Sequence, residues 1–345
     1  MLNFEDFAQQ DFYTTANHIS QFEHVESQLI FGEPSYQTIS IVIPTYKRAY
    51  LLKEALESCL LQTKKDFNIV IADNNPVRDD ETELLIRTMP DRRIVYYKNE
   101  ENMGPLANFN RCIELADCDF CVFLCSDDLL DINFLKSVQQ MIDKHPSADM
   151  LLPQKDIIYS HKTRKMKGYN IVLRMFAKFL RNPVAVRLTP RDFMLFYQAG
   201  GPSGIVYRKD AFLELGGFNP EWHPTGDNIL HIHFTAMKEV YLVSVDSGDY
   251  RMLDNISLEN GMSNIYLIQN YLFRKKFISK YNKYTWADNF YKGYVYYRLK
   301  VDRTGFFSVS DIRKAIGKCN VFHYLFFVSV WVFHYIKLPF RIRRW

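Results

Sequence analysis

The sequence predicts an α/β fold in which a mostly parallel sheet is flanked by helices. Short apolar segments of strand type alternate with segments in which apolar residues recur every three to four positions. Such alternation with short connections is typical of a parallel sheet with right-handed crossovers. Two strand-type segments stop abruptly on acidic residues, one at Asp73 and one close to Asp127 and Asp128. Because ligands of these sheets bind beyond the carboxyl ends of the strands, the three residues are expected at the mouth of a crevice.

The elements can be assigned in order along the chain. Strands are predicted at residues 39–43, 68–72, 94–97, 120–124 and 150–153. Helices are predicted at residues 50–62, 80–89, 106–116 and 136–145. The regularity fades after about residue 160, where a strand at 205–207, a helix from Gly226 to about Lys238 and a helical, aromatic region at 264–302 are predicted. Residues 1–37 are expected to be irregular or weakly helical.

Composition and charge narrow the class of protein. Hydrophobic residues make up 48% and charged residues 24% of the chain, which is typical of a globular protein. The net charge of +4 is unevenly distributed, because residues 161–191 hold nine Lys or Arg, residues 312–345 hold seven, and neither stretch holds an acid. Two localised basic stretches indicate contact with an anionic surface and not a general affinity for nucleic acid.

Cysteines and the N-terminus indicate a reducing compartment. Four of the six cysteines lie at positions 112, 118, 121 and 125, which allows a metal-site interpretation. Cys118 and Cys121 are expected on opposite faces of a strand, however, so buried free thiols are the favoured interpretation. Residues 1–37 lack the basic start and apolar run of a signal peptide, and the body of the protein is therefore expected in the cytoplasm.

Taken alone, Asp127 and Asp128 have two equally weighted interpretations. Their carboxylate oxygens suit Mg²⁺ or Mn²⁺ at a strand end. They could equally cap a helix that starts near Asp131, because Asp is a preferred cap residue.

Six short motifs together resemble the family 2 glycosyltransferases. The motifs are the segment 41–48 (IVIPTYKR), Asp73, 102–108 (NMGPLAN), 124–128 (LCSDD), 216–218 (GGF) and 226–228 (GDN). The resemblance covers roughly residues 39–250 and implies a GT-A fold, a Rossmann-like mostly parallel sheet flanked by helices. It also implies a catalytic domain at 39–255, divided at about residue 150 into nucleotide-sugar and acceptor halves. Outside the resemblance, the residues themselves predict a lead-in at 1–38 and a helical, aromatic-rich C-terminal region at 256–345 with a basic-aromatic, membrane-associating tail.

The resemblance assigns a nucleotide-sugar site residue by residue. Pro44, Thr45, Tyr46 and Arg48 form the loop that would cradle the nucleoside, and Asp73 would accept a hydrogen bond from the base. The residues that would shape the floor under the ribose and diphosphate are Asn102, Gly104 and Asn108. Glycine allows close backbone approach, and amides at a helix start favour phosphate. The alternative is that Asp73 and Asn102 have no ligand and only stabilise turns, which Asp and Asn favour.

The same resemblance implies a divalent cation, Mn²⁺ or Mg²⁺, held by Asp127. Asp127 occupies the second acidic position of the family's metal motif, whereas Cys125 stands at the first and leaves fewer ligands. The cation would neutralise the leaving diphosphate as a Lewis acid. Ser126 and Asp128 would contact the ribose or an outer water of the cation.

Asp227 matches the acidic residue that serves inverting members of the family as general base. It could also cap the helix that follows. Trp222 and His223 would line the acceptor site, since an aromatic face suits a sugar, or they would pack within the loop. His231 and His233 could supply a further metal ligand, but buried structural histidines are the favoured interpretation.

Both basic stretches include segments that could associate with a membrane. On a helix, Arg174, Lys178 and Arg181 of the segment 171–181 would share one face, which fits a membrane interface or an ordinary surface helix equally well. The apolar run 321–336 is shorter than the roughly 20 residues that a bilayer crossing needs. A basic cluster follows it, which favours a monotopic anchor over packing against the catalytic domain.

The predicted function is an inverting transfer of a sugar from a nucleoside-diphosphate sugar, UDP-linked, to a hydroxyl of a glycan or lipid-linked glycan. The setting would be bacterial surface polysaccharide synthesis on the inner face of the cell membrane. One alternative is a non-catalytic nucleotide-sugar-binding or scaffold protein with a degraded metal motif. A nucleotidyltransferase is disfavoured because its usual glycine-rich opening loop is absent after the first strand. The sequence does not indicate an oligomeric state.

Overall fold

The computed structural model describes residues 4–12, 17–159, 163–165, 185–195, 201–252, 262–281, 286–301, 317 and 320–337. The strands are β1 (Ser27–Phe31), β2 (Gln37–Thr45), β3 (Asn68–Asp73), β4 (Ile94–Asn99), β5 (Cys118–Phe123), β6 (Leu129–Leu130), β7 (Met150–Tyr159), β8 (Thr163–Lys165), β9 (Ala185–Arg187), β10 (Val206–Arg208) and β11 (Val240–Met252). The α-helices are α1 (Phe4–Gln9), α2 (Ala49–Leu60), α3 (Glu81–Arg87), α4 (Pro105–Leu115), α5 (Phe134–Lys144), α6 (Pro190–Leu195), α7 (Lys209–Glu214), α8 (Gly226–Met237), α9 (Met262–Tyr281), α10 (Ala287–Val301) and α11 (Val321–Lys337).

The described strands form one mixed sheet with a parallel centre. The parallel strands lie in the order β4–β3–β2–β5, and β1 closes the β4 edge in antiparallel orientation. On the other side, β10 pairs antiparallel with both β5 and β7, and β11 runs parallel to β7. The predicted strands 39–43, 68–72, 94–97 and 120–124 therefore correspond to β2–β5, and the predicted helices to α2–α5.

Alternating side chains of the central strands fill two hydrophobic layers, one on each face of the sheet. Ile41 and Ile69 pack in one layer with α2 and α5, whereas Val42 and Val70 pack in the other with α4, α8 and α9. Every residue of β3 is buried, as expected for a parallel strand that is covered on both faces.

The N-terminal residues are more ordered than the sequence suggested. Residues 1–37 are predicted to be irregular or weakly helical, and α1 agrees with this, but β1 pairs with β4 and the Phe12 side chain is fully buried. The prediction of buried free thiols is confirmed for Cys59, Cys112, Cys118 and Cys121, whereas Cys125 is a free thiol that is only half-buried. The expectation that Cys118 and Cys121 face apart is wrong, because their Sγ atoms lie 3.4 Å apart in the same hydrophobic layer.

The C-terminal helix α11 packs one face against α10. The Phe327 ring lies 5.0 Å from the Phe290 ring, and a Cβ on Gly293 would lie 2.0 Å from the carbonyl oxygen of His323. The opposite face remains exposed, with Phe322 76% and Leu325 56% accessible. Across the described parts of the chain, none of the helices combines the length and hydropathy needed to span a bilayer. The basic segment 171–181 and residues 338–345 lie outside the described residues.

The close approach of α10 and α11 generates a stability prediction. Replacing glycine by alanine inside a helix ordinarily stabilises the helix by up to about 1 kcal/mol, and Gly293 lies inside α10. Because the new Cβ would overlap the carbonyl of His323, we expect a net destabilisation of about 1–3 kcal/mol instead. Thermal unfolding and protease protection of α11 measure this effect. Asn289→Ala, on the exposed face of α10, is the matched control, and a Gly293→Ala protein as stable as this control would contradict the described packing.

Candidate functional site

Asn108 holds the carboxyl ends of three neighbouring strands together. This residue of α4 is buried, and its Nδ2 donates to the carbonyl of Ala72 at 3.0 Å and to that of Thr45 at 3.4 Å. Its Oδ1 accepts from Nδ2 of Asn99 at 2.9 Å. Asn108 thus supports the floor of the predicted site from below, because its side-chain amide hydrogen-bonds residues at the ends of β2, β3 and β4.

Asn74 extends this amide network towards the surface. Its Nδ2 donates to Oδ1 of Asn102 at 2.6 Å and to the carbonyl of Gly104 at 3.2 Å. Gly104 has φ +80°, a backbone conformation that favours glycine, and it precedes the first residue of α4. Asn102 is exposed beside it. The sequence analysis missed Asn74, although its position directly after the end of β3 was a usable signal.

Asp73 does not face the crevice. Its side chain is 0% exposed, and its carboxylate accepts from the Tyr96 hydroxyl at 2.7 Å, from Lys98 Nζ at 3.1 Å and from the amide of Asn75 at 3.0 Å. Burial raises the pKa of Asp73, and these three donors oppose the rise. These contacts agree with the alternative of turn chemistry for Asp73, and its contact with a base stays a prediction.

The loop after β2 is the most accessible part of the predicted nucleoside site. Pro44 and Thr45 still pair with Ala72 and Asp73 in the parallel ladder. Tyr46 then turns out with 41% of its surface exposed, and Lys47 adopts φ 52°. This brings Arg48 to the start of α2, where its Nη1 donates to Oδ2 of Asp127 at 3.1 Å.

Cys125, Asp127 and Asp128 form the candidate metal centre. One ligand atom of each lies within 4.8 Å of the others. The backbone amide of Cys125 donates to Oγ of Ser203 at 3.0 Å, and the amide of Asp128 bonds the carbonyl of Cys125 at 3.0 Å, which closes a turn around the buried Ser126. Burial raises the pKa of the Asp127 carboxyl, and the nearby Arg48 and Arg251 oppose this rise.

The donor set fits a hard divalent cation through its two carboxylates, with the thiol as the weaker partner. The alternative, that Asp127 and Asp128 cap a helix, is wrong, because α5 begins at Phe134 after its N-cap Asn133. His231 and His233 do not belong to the cluster. Nε2 of His231 lies 2.6 Å from the hydroxyl of Tyr207, so the favoured interpretation as a buried structural histidine agrees with its contacts.

Arg251 is a residue of this site that the sequence analysis missed. Its guanidinium contacts the backbone carbonyl of Asp127 and the carboxylate of Glu54, and its backbone amide donates to Oδ1 of Asp128 at 2.8 Å. Arg251 is only 5% exposed. It lies on β11, far along the chain from the metal motif, so local sequence carried no signal for the contact.

Asp227 lies in the first turn of α8. It is 8% exposed, and its Oδ1 accepts from the amide of Asn228 at 2.7 Å and from Nδ2 of Asn228 at 2.9 Å. Thr225 takes the N-cap position, so the alternative of Asp227 as the cap is wrong. Burial raises the pKa of Tyr207 well above its usual value, and the neighbouring acidic groups of Asp227 and Cys125 add to the rise. Asp227 and the turn from Cys125 to Asp128, called the metal turn below, thus both lie near the same buried phenol.

Trp222 is a packing residue and does not line an open acceptor site. It is 4% exposed, its Nε1 donates to Oε1 of Gln10 at 2.6 Å, and its ring lies 5.5 Å from that of Phe12. Of the two alternatives for Trp222, these contacts agree with packing within the loop. His223 is half-buried, and its carbonyl accepts from Gln269 of α9.

With this geometry in place, comparison with known proteins identifies the family. A family model described as glycosyl transferase family 2 matches residues 40–213, just over half of the chain. The chain belongs to this family. An uncharacterized glycosyltransferase of Rickettsia felis is 26% identical over 263 residues, which cover 72% of this chain and 39% of that protein. The chain therefore spans about two fifths of the length of this relative.

Shorter matches connect this family 2 chain to relatives with named activities. The abequosyltransferase RfbV of Salmonella typhimurium is 36% identical over 117 residues, covering 33% of this chain and 34% of that protein. Among solved structures, S. aureus TarS 1–349 in complex with UDP-GlcNAc has a TM-score of 0.53 at 18% identity, covering 68% of this chain and 66% of that one. This likeness confirms the GT-A fold predicted from the sequence.

The ion pairs of Glu83, in the first turn of α3, allow a prediction of how stability depends on pH. Glu83 is 1% exposed and accepts from Nε and Nη2 of Arg78, both at 3.0 Å, and from Arg87 at 2.6 Å. The pKa of Glu83 is lowered to about 2, mainly by the hydrogen bonds from Arg78. Since this value lies below that of the unfolded chain, the stabilisation is fully present above about pH 4.5 and is lost as the pH falls towards 2.

We therefore expect Glu83→Gln to lower the free energy of unfolding at pH 7 by roughly 1–3 kcal/mol, a range reduced because Arg78 is half exposed. The difference from wild type should shrink as the pH falls towards 3. Urea unfolding at both pH values tests this, with the exposed Glu81→Gln of the same helix as control. A difference that does not change with pH would contradict the assignment.

Proposed function

We propose that this protein is an inverting glycosyltransferase that moves a sugar from a nucleoside-diphosphate sugar, UDP-linked, to a hydroxyl of a glycan or lipid-linked glycan. The observation that carries the proposal is the Cys125–Asp127–Asp128 cluster at the carboxyl edge of a parallel sheet. Family membership supports a donor of this class. UDP-GlcNAc bound to TarS, which shares the fold, supports the choice of a uridine nucleotide.

In the proposed reaction, Tyr46 and Arg48 bind the nucleoside and diphosphate at the accessible loop after β2. Asp127 and Asp128 hold a Mn²⁺ or Mg²⁺ ion, which when bound neutralises charge on the leaving diphosphate. Asp227 takes the proton of the acceptor hydroxyl as the acceptor oxygen bonds to the anomeric carbon. The bond between that carbon and the diphosphate oxygen breaks, and a nucleoside diphosphate leaves.

The metal turn also supports the alternative function, a non-catalytic protein that binds nucleotide sugars or acts as a scaffold. Cys125 stands at the first acidic position of the family's metal motif, and Arg48 already donates to Asp127. A non-catalytic protein that binds nucleotide sugars, or a scaffold, would have this appearance. The two functions differ in turnover, because the rival binds the donor and never releases nucleoside diphosphate, even when a lipid-linked acceptor is present.

For the acceptor, we propose a glycan or a lipid-linked glycan of bacterial surface polysaccharide synthesis. A Campylobacter jejuni relative, 32% identical over 105 residues, is named GalNAc(5)-diNAcBac-PP-undecaprenol β-1,3-glucosyltransferase. The lipid-linked glycan in this name supports the proposed class of acceptor. We retain residues 39–255 as the proposed catalytic domain and 256–345 as its C-terminal region.

We further propose a peripheral location on the inner face of the cell membrane. The support is the apolar outer face of α11, formed by Val321, Phe322, Leu325 and Val332, each at least 45% exposed. Residues 312–345 carry seven basic residues and no acid, which complements an anionic leaflet.

Donor turnover tests the catalytic proposal. With a panel of nucleotide sugars and Mn²⁺, wild type should release one nucleoside diphosphate, and a chelator should abolish the release. Asp127→Ala should lower turnover by about 100-fold or more through lost stabilisation of the leaving group. Asp227→Asn should lower transfer to an acceptor about 100- to 10,000-fold while donor binding persists. Asp66→Asn at the exposed Asp66 is the control, and an Asp127→Ala enzyme with wild-type activity would contradict the metal assignment.

Sedimentation with anionic vesicles tests the membrane proposal. Replacing Phe322 and Leu325 together by Ser should weaken binding about 10-fold or more, because each buried apolar side chain contributes roughly 1.5–3 kcal/mol. Leu61→Ser, at a residue of similar exposure distant in sequence from α11, is the matched control. Vesicle binding that is equal in all three proteins would exclude the outer face of α11 as the contact.

A further inference from the structure

Arg48 and Asp127 form an ion pair inside the candidate metal centre. Nη1 of Arg48 lies 3.1 Å from Oδ2 of Asp127, and the two side chains are 28% and 13% exposed. Asp127 is also the carboxylate proposed to hold the divalent cation. A guanidinium and a cation would therefore share one carboxylate, and the repulsion between their positive charges would weaken the ion pair of Arg48 with Asp127.

The two arginines of the site differ in their freedom to move. Arg251 is almost wholly buried and is held by contacts to Asp127, Asp128 and Glu54. Arg48 has access to solvent, and its backbone is anchored separately, because its carbonyl accepts from the amides of Leu51 and Leu52 at the start of α2. The Arg48 side chain can thus change partner without any disturbance of the helix.

We propose that Arg48 is a resident counter-ion of Asp127 that passes to the diphosphate of the donor when the divalent cation binds. The proposal rests on the proposed function, since it takes the donor to be a nucleoside-diphosphate sugar. A guanidinium that leaves a carboxylate needs another anion, and its fork of N–H donors matches phosphate oxygens. The structure thus couples two binding events, each of which favours the other.

The charges of the site support this coupling. Because Cys125 is a thiol, Asp127 and Asp128 are the anionic members of the ligand cluster, and Arg48 and Arg251 lie against them. A divalent cation that binds alone adds two positive charges to a site that already contains two guanidinium groups. A divalent cation that binds together with a doubly negative diphosphate leaves the net charge of the site unchanged. The site should accordingly bind the cation weakly alone and much better with the nucleotide.

The test is Mn²⁺ binding by the full chain, followed through the electron paramagnetic resonance signal of free Mn²⁺ and independent of turnover. Wild type, Arg48→Gln and Arg48→Lys are titrated without nucleotide, with UDP and with GDP, and the Mn²⁺–nucleotide complex in buffer is measured separately. Without nucleotide, Arg48→Gln should bind Mn²⁺ about 3- to 10-fold more tightly than wild type, and Arg48→Lys should stay close to wild type. A nucleotide should strengthen Mn²⁺ binding in wild type and much less in Arg48→Gln.

A second arginine–carboxylate pair provides the control. Arg208 pairs with Asp149 at 3.3 Å with exposures of 29% and 18%, and Arg208 pairs in the sheet with Phe120, near the opposite end of β5. Arg208→Gln should leave Mn²⁺ binding unchanged in every condition. The proposal is overturned if Arg48→Gln binds Mn²⁺ no more tightly than wild type without nucleotide, or if UDP strengthens binding equally in both.

Failure of this proposal and failure of the proposed function give different results. Sugar transfer by wild type with no detectable Mn²⁺ binding would overturn the exchange of Arg48 and leave the glycosyltransferase function in place. The expected pattern of Mn²⁺ binding, with no transfer to any acceptor, would support the exchange and favour the non-catalytic rival.

Discussion

The carboxyl edge of the sheet depends on the side-chain amide of Asn108. Buried backbone carbonyls are costly unless they are hydrogen-bonded, and this one amide serves the carbonyls of Thr45 and Ala72 on adjacent strands. Asn99 in turn donates to Asn108 and to Asn74, which adds the end of β4 and the loop beyond β3. The loop that carries Tyr46 and Arg48 therefore leaves the sheet from a fixed point.

Ion pairs around this edge act as supports for the site. Lys98 is 3% exposed and lies between Asp73 at 3.1 Å and Asp80 at 3.0 Å, and Asp80 also caps α3. Buried charges persist only when they are paired in this way, so the loop between β3 and α3 is tied to β4. Arg251 has the equivalent effect on the metal turn, which it ties to β11. Among the groups that remain accessible at the mouth are Tyr46 of the loop after β2 and Asn102.

The central strands, the helices between them and the metal turn could be predicted because their signals are local: hydrophobic periodicity and a strand that ends in carboxylates. What could not be predicted are the contacts between distant segments. Tyr96 and Lys98, two residues apart on β4 and hence on one face, both reach Asp73. Gln10 from the N-terminal segment accepts from the indole N–H of Trp222, and this contact favours packing over an acceptor role, two alternatives that the sequence left open. The contacts of Arg251 likewise required the fold.

Cys125 changes the electrostatics of the metal turn more than its geometry. The backbone turn from Cys125 to Asp128 is intact and anchored by Ser203, so a thiol at this position costs the turn no hydrogen bond. What is lost is one negative charge beside two guanidinium groups. Under the proposed function, the donor diphosphate would compensate for that charge each time it binds. A cation held mainly together with its nucleotide would leave with the nucleoside diphosphate, which makes the motif compatible with turnover.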